Sequence, residues 1–286
     1  MTASQAARAS LLPLLQLIDD ARRSGDDDDM ASVKSCCAAV YGIDLVALFL
    51  GESYHPGGAE LTRRLADRLG LRPGERVLDV ACGIGTTALL LAAERDVEVV
   101  GVDLGAAQIA KARARASQAA VDHRTRFEVG DAERLPFDDG EFDAVICECA
   151  LCTFPDKATA AAEIARVLRP GGRLGITDVW LHPARLDPEL RGLAGRVACV
   201  ADARPIADTV ALLGRPGLTV EVVERHDDAL RDTIDRIVVR LRALRLIDLP
   251  ALRGLDLDRG IEIARRVGEL VAGGHAGYVL IAAAKG

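Results

Sequence analysis

The stretch Val77-Leu78-Asp79-Val80-Ala81-Cys82-Gly83-Ile84-Gly85-Thr86 decides the fold. An apolar strand interrupted by one acid runs into a glycine turn, and the turn opens a helix. Gly83 and Gly85 carry no Cβ, so the turn can be tight and a ligand can approach the backbone closely. The following helix, about Thr86 to Glu94, points its first amides at whatever sits in that turn. Gly83-x-Gly85-x-x-Ala88 also fits a dinucleotide fingerprint. Asp79 speaks against that reading. It stands four residues before the first glycine, where a pyrophosphate would be repelled and a cationic ligand tolerated.

The same rhythm continues on both sides. Upstream, Leu61, Leu65 and Leu69 share one face of a helix expected over Ala59 to Leu69, and Arg72-Pro73-Gly74-Glu75 forms a turn. Downstream come a strand over Val97 to Asp103, a helix over Ala106 to Ala116 and a strand over Thr125 to Val129 ending at Gly130-Asp131. Phe142 to Cys147 is nearly all apolar and reads as a central strand covered on both faces. A helix over Lys157 to Leu168, a turn at Arg169-Pro170-Gly171-Gly172 and a strand over Arg173 to Val179 follow. This alternation predicts an α/β fold with a doubly wound, mostly parallel sheet.

Beyond Val179 the pattern changes. Helices are expected over Asp187 to Ala201, Pro205 to Leu213, Asp228 to Leu246 and Ile261 to Ala272, with strands at Leu218 to Arg225 and Tyr278 to Ala284. At the other end, residues 1 to 23 read as an amphipathic helix, Gly25 to Asp29 as a solvated acidic linker, and Ser32 to Leu50 as a helical or irregular segment. Three regions result: an N-terminal helical segment and cap (1–58), a cofactor-binding core (59–180), and a substrate-side insert with the C-terminal part that completes the sheet (181–286).

With 286 residues, half of them hydrophobic, the chain can bury a full core. A net charge of −7 argues against nucleic acid or an anionic membrane as partner. No apolar run reaches the length of a membrane span. Leu11-Leu12-Pro13-Leu14-Leu15 is too short for a signal peptide and is followed by Asp19 and Asp20, so a cytoplasmic location is expected. Seven cysteines, at 36, 37, 82, 147, 149, 152 and 199, make an odd set in a long chain, which predicts reduced thiols.

In an open α/β sheet the ligand sits outside the carboxyl ends of the strands, where strand order reverses. The residues expected there are Asp79 with the glycine turn, Asp103, Asp131 and Cys147 to Cys149. Asp103 is placed to accept hydrogen bonds from ribose hydroxyls, and Asp131 from an adenine amino group. Any one of these acids taken singly is better explained as a helix cap or loop residue. Three acids and two glycines at successive strand ends point to a ligand.

The block from Val77 to Thr86, with Val102-Asp103, Gly130-Asp131-Ala132-Glu133-Arg134-Leu135-Pro136-Phe137, Phe142-Asp143-Ala144-Val145 and Arg166-Val167-Leu168-Arg169-Pro170-Gly171-Gly172, resembles class I S-adenosylmethionine-dependent methyltransferases. The resemblance implies a Rossmann-like seven-stranded sheet whose last strand is antiparallel. It also implies S-adenosyl-L-methionine as cofactor, lined by Asp79, Gly83, Gly85, Asp103, Leu104, Asp131, Ala132 and Cys147.

The cysteines carry the reading of the acceptor. Cys149 lies six residues before Pro155-Asp156-Lys157, Cys199 lies fifty positions further on, and Cys36 and Cys37 lie in the N-terminal segment. This spacing, with Thr177-Asp178-Val179-Trp180, resembles arsenite methyltransferases. The resemblance implies trivalent arsenic as substrate, held by the catalytic thiolates of Cys149, Cys199 and Cys36 or Cys37, with a thiol reductant as partner. Soft thiolates suit such a centre, and a lone pair on the metalloid could attack the methyl carbon without a general base. Two alternatives stand beside it: a methyltransferase for a small organic acceptor at oxygen, nitrogen or carbon with structural cysteines, and a non-catalytic metalloid-binding protein. Cys82 and Cys147 also read as packing residues, and Cys152 as packing or a spare thiol. His55 and Tyr41 read as pocket caps or as an ordinary turn histidine and half-buried tyrosine; Trp180 reads as pocket wall or core.

Overall fold

The computed structural model describes residues 55–186, 190, 200–246 and 256–286. The expectations for residues 1–54, and almost all of the helix expected over Asp187 to Ala201, lie outside the described residues.

The elements are α1 (Gly58–Leu69), β1 (Arg76–Val80), α2 (Thr86–Arg95), β2 (Glu98–Asp103), α3 (Ala106–Gln118), β3 (Thr125–Val129), β4 (Phe142–Glu148), α4 (Lys157–Val167), β5 (Leu168–Leu181), α5 (Ile206–Gly214), β6 (Leu218–Arg225), α6 (Asp227–Arg245), α7 (Leu257–Ala272) and β7 (Ala276–Lys285). The seven strands form one sheet in the order β3-β2-β1-β4-β5-β7-β6. The first five strands of that order pair in parallel, and β7 runs antiparallel to both β5 and β6. The order reverses between β1 and β4, so the crevice for a ligand opens at the carboxyl ends of those two strands.

The inner strands β1, β2, β4 and β7 are buried on both faces over most of their length, because helices cover both, whereas the edge strands β3 and β6 alternate buried and exposed residues. The period of two along β1 divides the core. Val77 packs on one side with α1, α2 and α3, and β7 contributes Tyr278 and Leu280 there beside α6 and α7. Leu78 and Val80 pack on the other with α4 and α5. Helix α1 buries Leu61, Leu65, Ala66 and Leu69, and each leucine contributes about 1.5–3 kcal/mol relative to exposure. Gly175 on β5 lets α1 lie close, since a Cβ there would stand 2.8 Å from Leu65 Cδ1.

One sequence expectation changes in kind. Arg169-Pro170-Gly171-Gly172 does not precede β5 but interrupts it. Leu168 already pairs with Phe142, the register shifts, and the ladder resumes at Arg173 opposite Ala144. Gly171, at φ 72°, makes the excursion possible. Strand β7 also extends beyond Tyr278 to Ala284 at both ends, pairing with Leu181 through Ala276 and with Leu218 through Lys285.

Candidate active site

A pocket opens at the strand-order reversal. It is lined by Asp79 of β1, the Ala81-to-Ile84 turn, Asp103 of β2, Asp131 and Ala132 after β3, and Glu148 and Cys149 at the end of β4. Among the described residues that line it are five carboxylates, those of Asp79, Asp103, Asp131, Glu133 and Glu148, and no lysine or arginine. A site of this charge repels an anion and favours a cationic ligand.

The glycine turn is held by Asp103. Its Oδ2 accepts from Gly83 N–H at 2.9 Å and its Oδ1 from Gly105 N–H at 2.8 Å. The carboxylate thereby ties the end of β2 to the turn after β1, with lone pairs still available for hydroxyl donors. Burial raises the Asp103 pKa, and the two backbone hydrogen bonds oppose that rise. Gly85 closes the turn at φ 77° as the residue before α2, packed so tightly that a Cβ would stand 2.9 Å from the Phe127 ring. Its part is conformational, and it does not line the pocket.

Asp79 is 2% exposed. Its Oδ2 is buried and meets no hydrogen-bond donor among the described residues. Burial, then the nearby charges of Glu148 and Asp103, hold this carboxyl well above the usual carboxylate range; a backbone hydrogen bond from Ala88, in the first turn of α2, opposes them. An orphaned, buried oxygen facing a pocket is the mark of a missing partner. A ligand that brings a positive charge supplies one.

Two pocket residues that are not glycine adopt left-handed backbone, Ala81 at φ 58° and Cys149 at φ 55°. Such residues cost about 1–3 kcal/mol each and gather at functional sites. Cys149 is half-buried, and its N–H donates to Thr177 O of β5 at 2.6 Å. Beyond it Ala150, Thr153, Phe154 and Pro155 form an apolar wall.

The other predicted site residues divide. Leu104 and Ala132 line the pocket. Cys147 is not brought to it. Alternation along β4 turns its side chain to the α4 side, where it is fully buried with Val145 and Ile176, and burial pushes its thiol pKa well up. The same alternation brings Glu148 to the pocket; sequence reasoning placed Cys147 to Cys149 at this strand end but gave Glu148 no role. Cys82 lines the pocket, and burial raises its thiol too. Cys36, Cys37 and Cys199 lie outside the described residues. Tyr41 does as well, whereas His55 is buried and reaches the pocket. Trp180 belongs to the core, its Nε1–H donating to Asp227 at 3.1 Å. Among the described residues no group of three His, Cys, Asp or Glu side chains is arranged to hold a metal ion, and no helix is long and apolar enough to cross a membrane.

Fold and pocket together define a doubly wound α/β protein whose acidic crevice at the strand-order reversal suits a cationic ligand. Residues 77–172 match a family model described as a methyltransferase domain. The 27-O-demethylrifamycin SV methyltransferase of Amycolatopsis mediterranei is 33% identical over 85% of this chain and 93% of its own length. Methyltransferase GfsG of Streptomyces halstedii is 30% identical over 80% of each chain. Among solved structures, a sarcosine dimethylglycine methyltransferase from Galdieria sulphuraria aligns over 79% of this chain and 84% of its own, with TM-score 0.72 and 19% identity, a likeness of fold. The [4+2]-cyclase SpnF aligns over 87% and 93%, with TM-score 0.68 and 25% identity. The chain belongs to the class I S-adenosylmethionine-dependent methyltransferases. Its cofactor is S-adenosyl-L-methionine.

Proposed function

We propose that this enzyme methylates a hydroxyl group on a small, largely apolar organic acceptor. The observation that carries the reading is the relationship to the rifamycin enzyme, whose name places its methyl group on oxygen and which matches along nearly its whole length. The O-methyltransferase rstn1 of Aspergillus nomiae, 35% identical over 60% of this chain, supports it. So does the apolar wall of Ala150, Phe154 and Pro155, which suits a carbon skeleton better than a charged group.

When bound, S-adenosylmethionine supplies an electrophilic methyl carbon on a sulfonium. The pocket residues fit it: the Asp79 oxygen that has no donor among the described residues suits a cation, and the Gly83 turn lets the backbone approach. In this reading Asp103 orients the ribose hydroxyls, Asp131 and Ala132 meet the adenine edge, and Leu104 covers the ring. Cys149 and the wall after it hold the acceptor oxygen in line and exclude water. Catalysis would then be mostly positioning: as the acceptor oxygen takes the methyl carbon, the carbon–sulfonium bond would break to leave the thioether, and the hydroxyl proton would pass to bulk solvent.

The metalloid reading retains one supporting observation, the half-buried Cys149 thiol at the pocket. None of the relatives named here is an arsenic enzyme. Mass spectrometry of products from the purified protein, S-adenosylmethionine and separate pools of hydroxylated polyketides and phenols, amines, and arsenite decides between them. Methylated hydroxyl compounds are the expected result, and Cys149→Ser should keep that activity within about fivefold. Methylated arsenic with the organic pools silent, and total loss of activity in Cys149→Ser, would overturn the proposal.

A further inference from the structure

Glu148 is a pocket carboxylate whose position is fixed from several elements at once. It ends β4, and its side chain is 4% exposed. Oε2 accepts from Thr62 Oγ1 of α1 at 3.0 Å and from Thr87 Oγ1 of α2 at 2.6 Å. Oε1 faces Thr177 Oγ1 of β5 at 3.4 Å, and Thr177 is bonded in turn to the Tyr278 hydroxyl at 3.0 Å. His55 Nε2 lies 3.6 Å from Oε2. A carboxylate charge held in so buried a place is costly unless a cation comes to meet it.

Register shows where the charge points. Asp79 sits beside Ile146 of β4 and Gly101 of β2. Glu148 and Asp103 are each two residues further along their strands. They therefore share the face of Asp79 and stand about 6–7 Å nearer the carboxyl ends. Three acids on one face of three adjacent strands frame the crevice, and the middle one, Asp79, has an oxygen that is buried without a donor among the described residues. Burial and then the charges of Glu148 and Asp103 bear on Asp79, and a bound cation would offset them.

We propose that Glu148 is a second counter-charge, beside Asp79, for the cationic methionine end of S-adenosylmethionine, and that it makes the pocket selective for ligands bearing that charge. The proposal rests on the cofactor alone and is independent of the acceptor. The other ionisable groups facing this end are Asp103 from β2, His55 from the segment before α1, Cys82 and Cys149 from the loops, and Tyr278 through Thr177; α1 and α2 contribute the hydroxyls of Thr62 and Thr87.

Isothermal titration of the full chain with S-adenosylmethionine and with 5′-methylthioadenosine, which keeps the nucleoside and thioether but lacks the charged tail, tests it. Glu148→Gln should lose about tenfold or more in affinity for S-adenosylmethionine, as removal of a hydrogen-bonded charge implies, and less than about twofold for the uncharged ligand. Glu148→Asp should recover part of the loss. Unchanged affinity, or equal losses for both ligands, overturns the proposal. An acceptor other than a hydroxyl compound would leave these isotherms unchanged, so the two proposals fail separately.

Discussion

Asp79 illustrates how a residue can serve binding at the expense of the empty fold. Its carboxyl is held above the usual range, so the folded protein binds that proton more tightly than the unfolded chain does. The sign follows: the contribution to stability is complete below the ordinary carboxylate pKa of about 3.9 and is lost as pH rises through the folded value. Asp79→Asn keeps an acceptor for the Ala88 amide and removes the ionisation. Its melting temperature relative to wild type should rise as pH is raised above the ordinary carboxylate range in the absence of ligand. Its affinity for S-adenosylmethionine should fall at least about tenfold. Thermal melts over that rise in pH, paired with titration calorimetry, check both halves. Asp103 makes the opposite case, since its two backbone hydrogen bonds hold the glycine turn. Asp103→Ala should lower both stability and cofactor affinity, the latter by about tenfold to a hundredfold. Equilibrium dialysis with labelled cofactor measures the second effect.

At the scale of elements, α2 depends on what precedes it. Gly85 holds φ 77° with the Phe127 ring against the place a Cβ would occupy. Gly85→Ala combines left-handed strain with overpacking, at a cost of about 2–4 kcal/mol. It should displace the first turn of α2, including the Ala88 amide and Thr87 hydroxyl that meet Asp79 and Glu148. Denaturant unfolding should show the lost stability, and cofactor affinity should fall with it. Helix α4 offers a contrast. Asp156 caps it by accepting from Ala158 N–H at 3.1 Å and Thr159 N–H at 3.0 Å. Asp156→Ala should cost about 0.5–2 kcal/mol, again read by denaturant unfolding, with little change in cofactor binding because the cap itself does not line the pocket.

In the whole molecule, stability and binding reside on different seams of one sheet. The β1–β4 boundary carries the pocket, whereas the end of the β5–β7–β6 seam around Gly277 lies outside the pocket lining. At that seam Gly277 faces Asp227, which accepts from Trp180 Nε1–H and Tyr278 N–H at 3.1 Å each, and a Cβ on Gly277 would collide with the carboxylate. Gly277→Ala should lower the melting temperature, by an amount corresponding to about 1–3 kcal/mol, yet leave cofactor affinity within about twofold well below the transition.

Much of this arrangement was legible before any coordinates. Alternating apolar runs and glycine turns required helices on both faces of a parallel sheet, because such strands have no polar face to leave in water. Glycine at 83 and 85 and acids at 79, 103 and 131 marked the strand ends, where backbone amides and unpaired carboxylates converge. Local chemistry of this kind is written in short stretches of chain. Which of two adjacent side chains turns toward the ligand is not. Cys147 and Glu148 differ by one position on β4, and only the register against β1 and the hydroxyls of Thr62, Thr87 and Thr177 settled that Glu148 faces the crevice. Those threonines come from three elements far apart in the chain, so no spacing announces them. Their meeting is a product of packing, which sequence encodes collectively and tertiary structure alone makes visible.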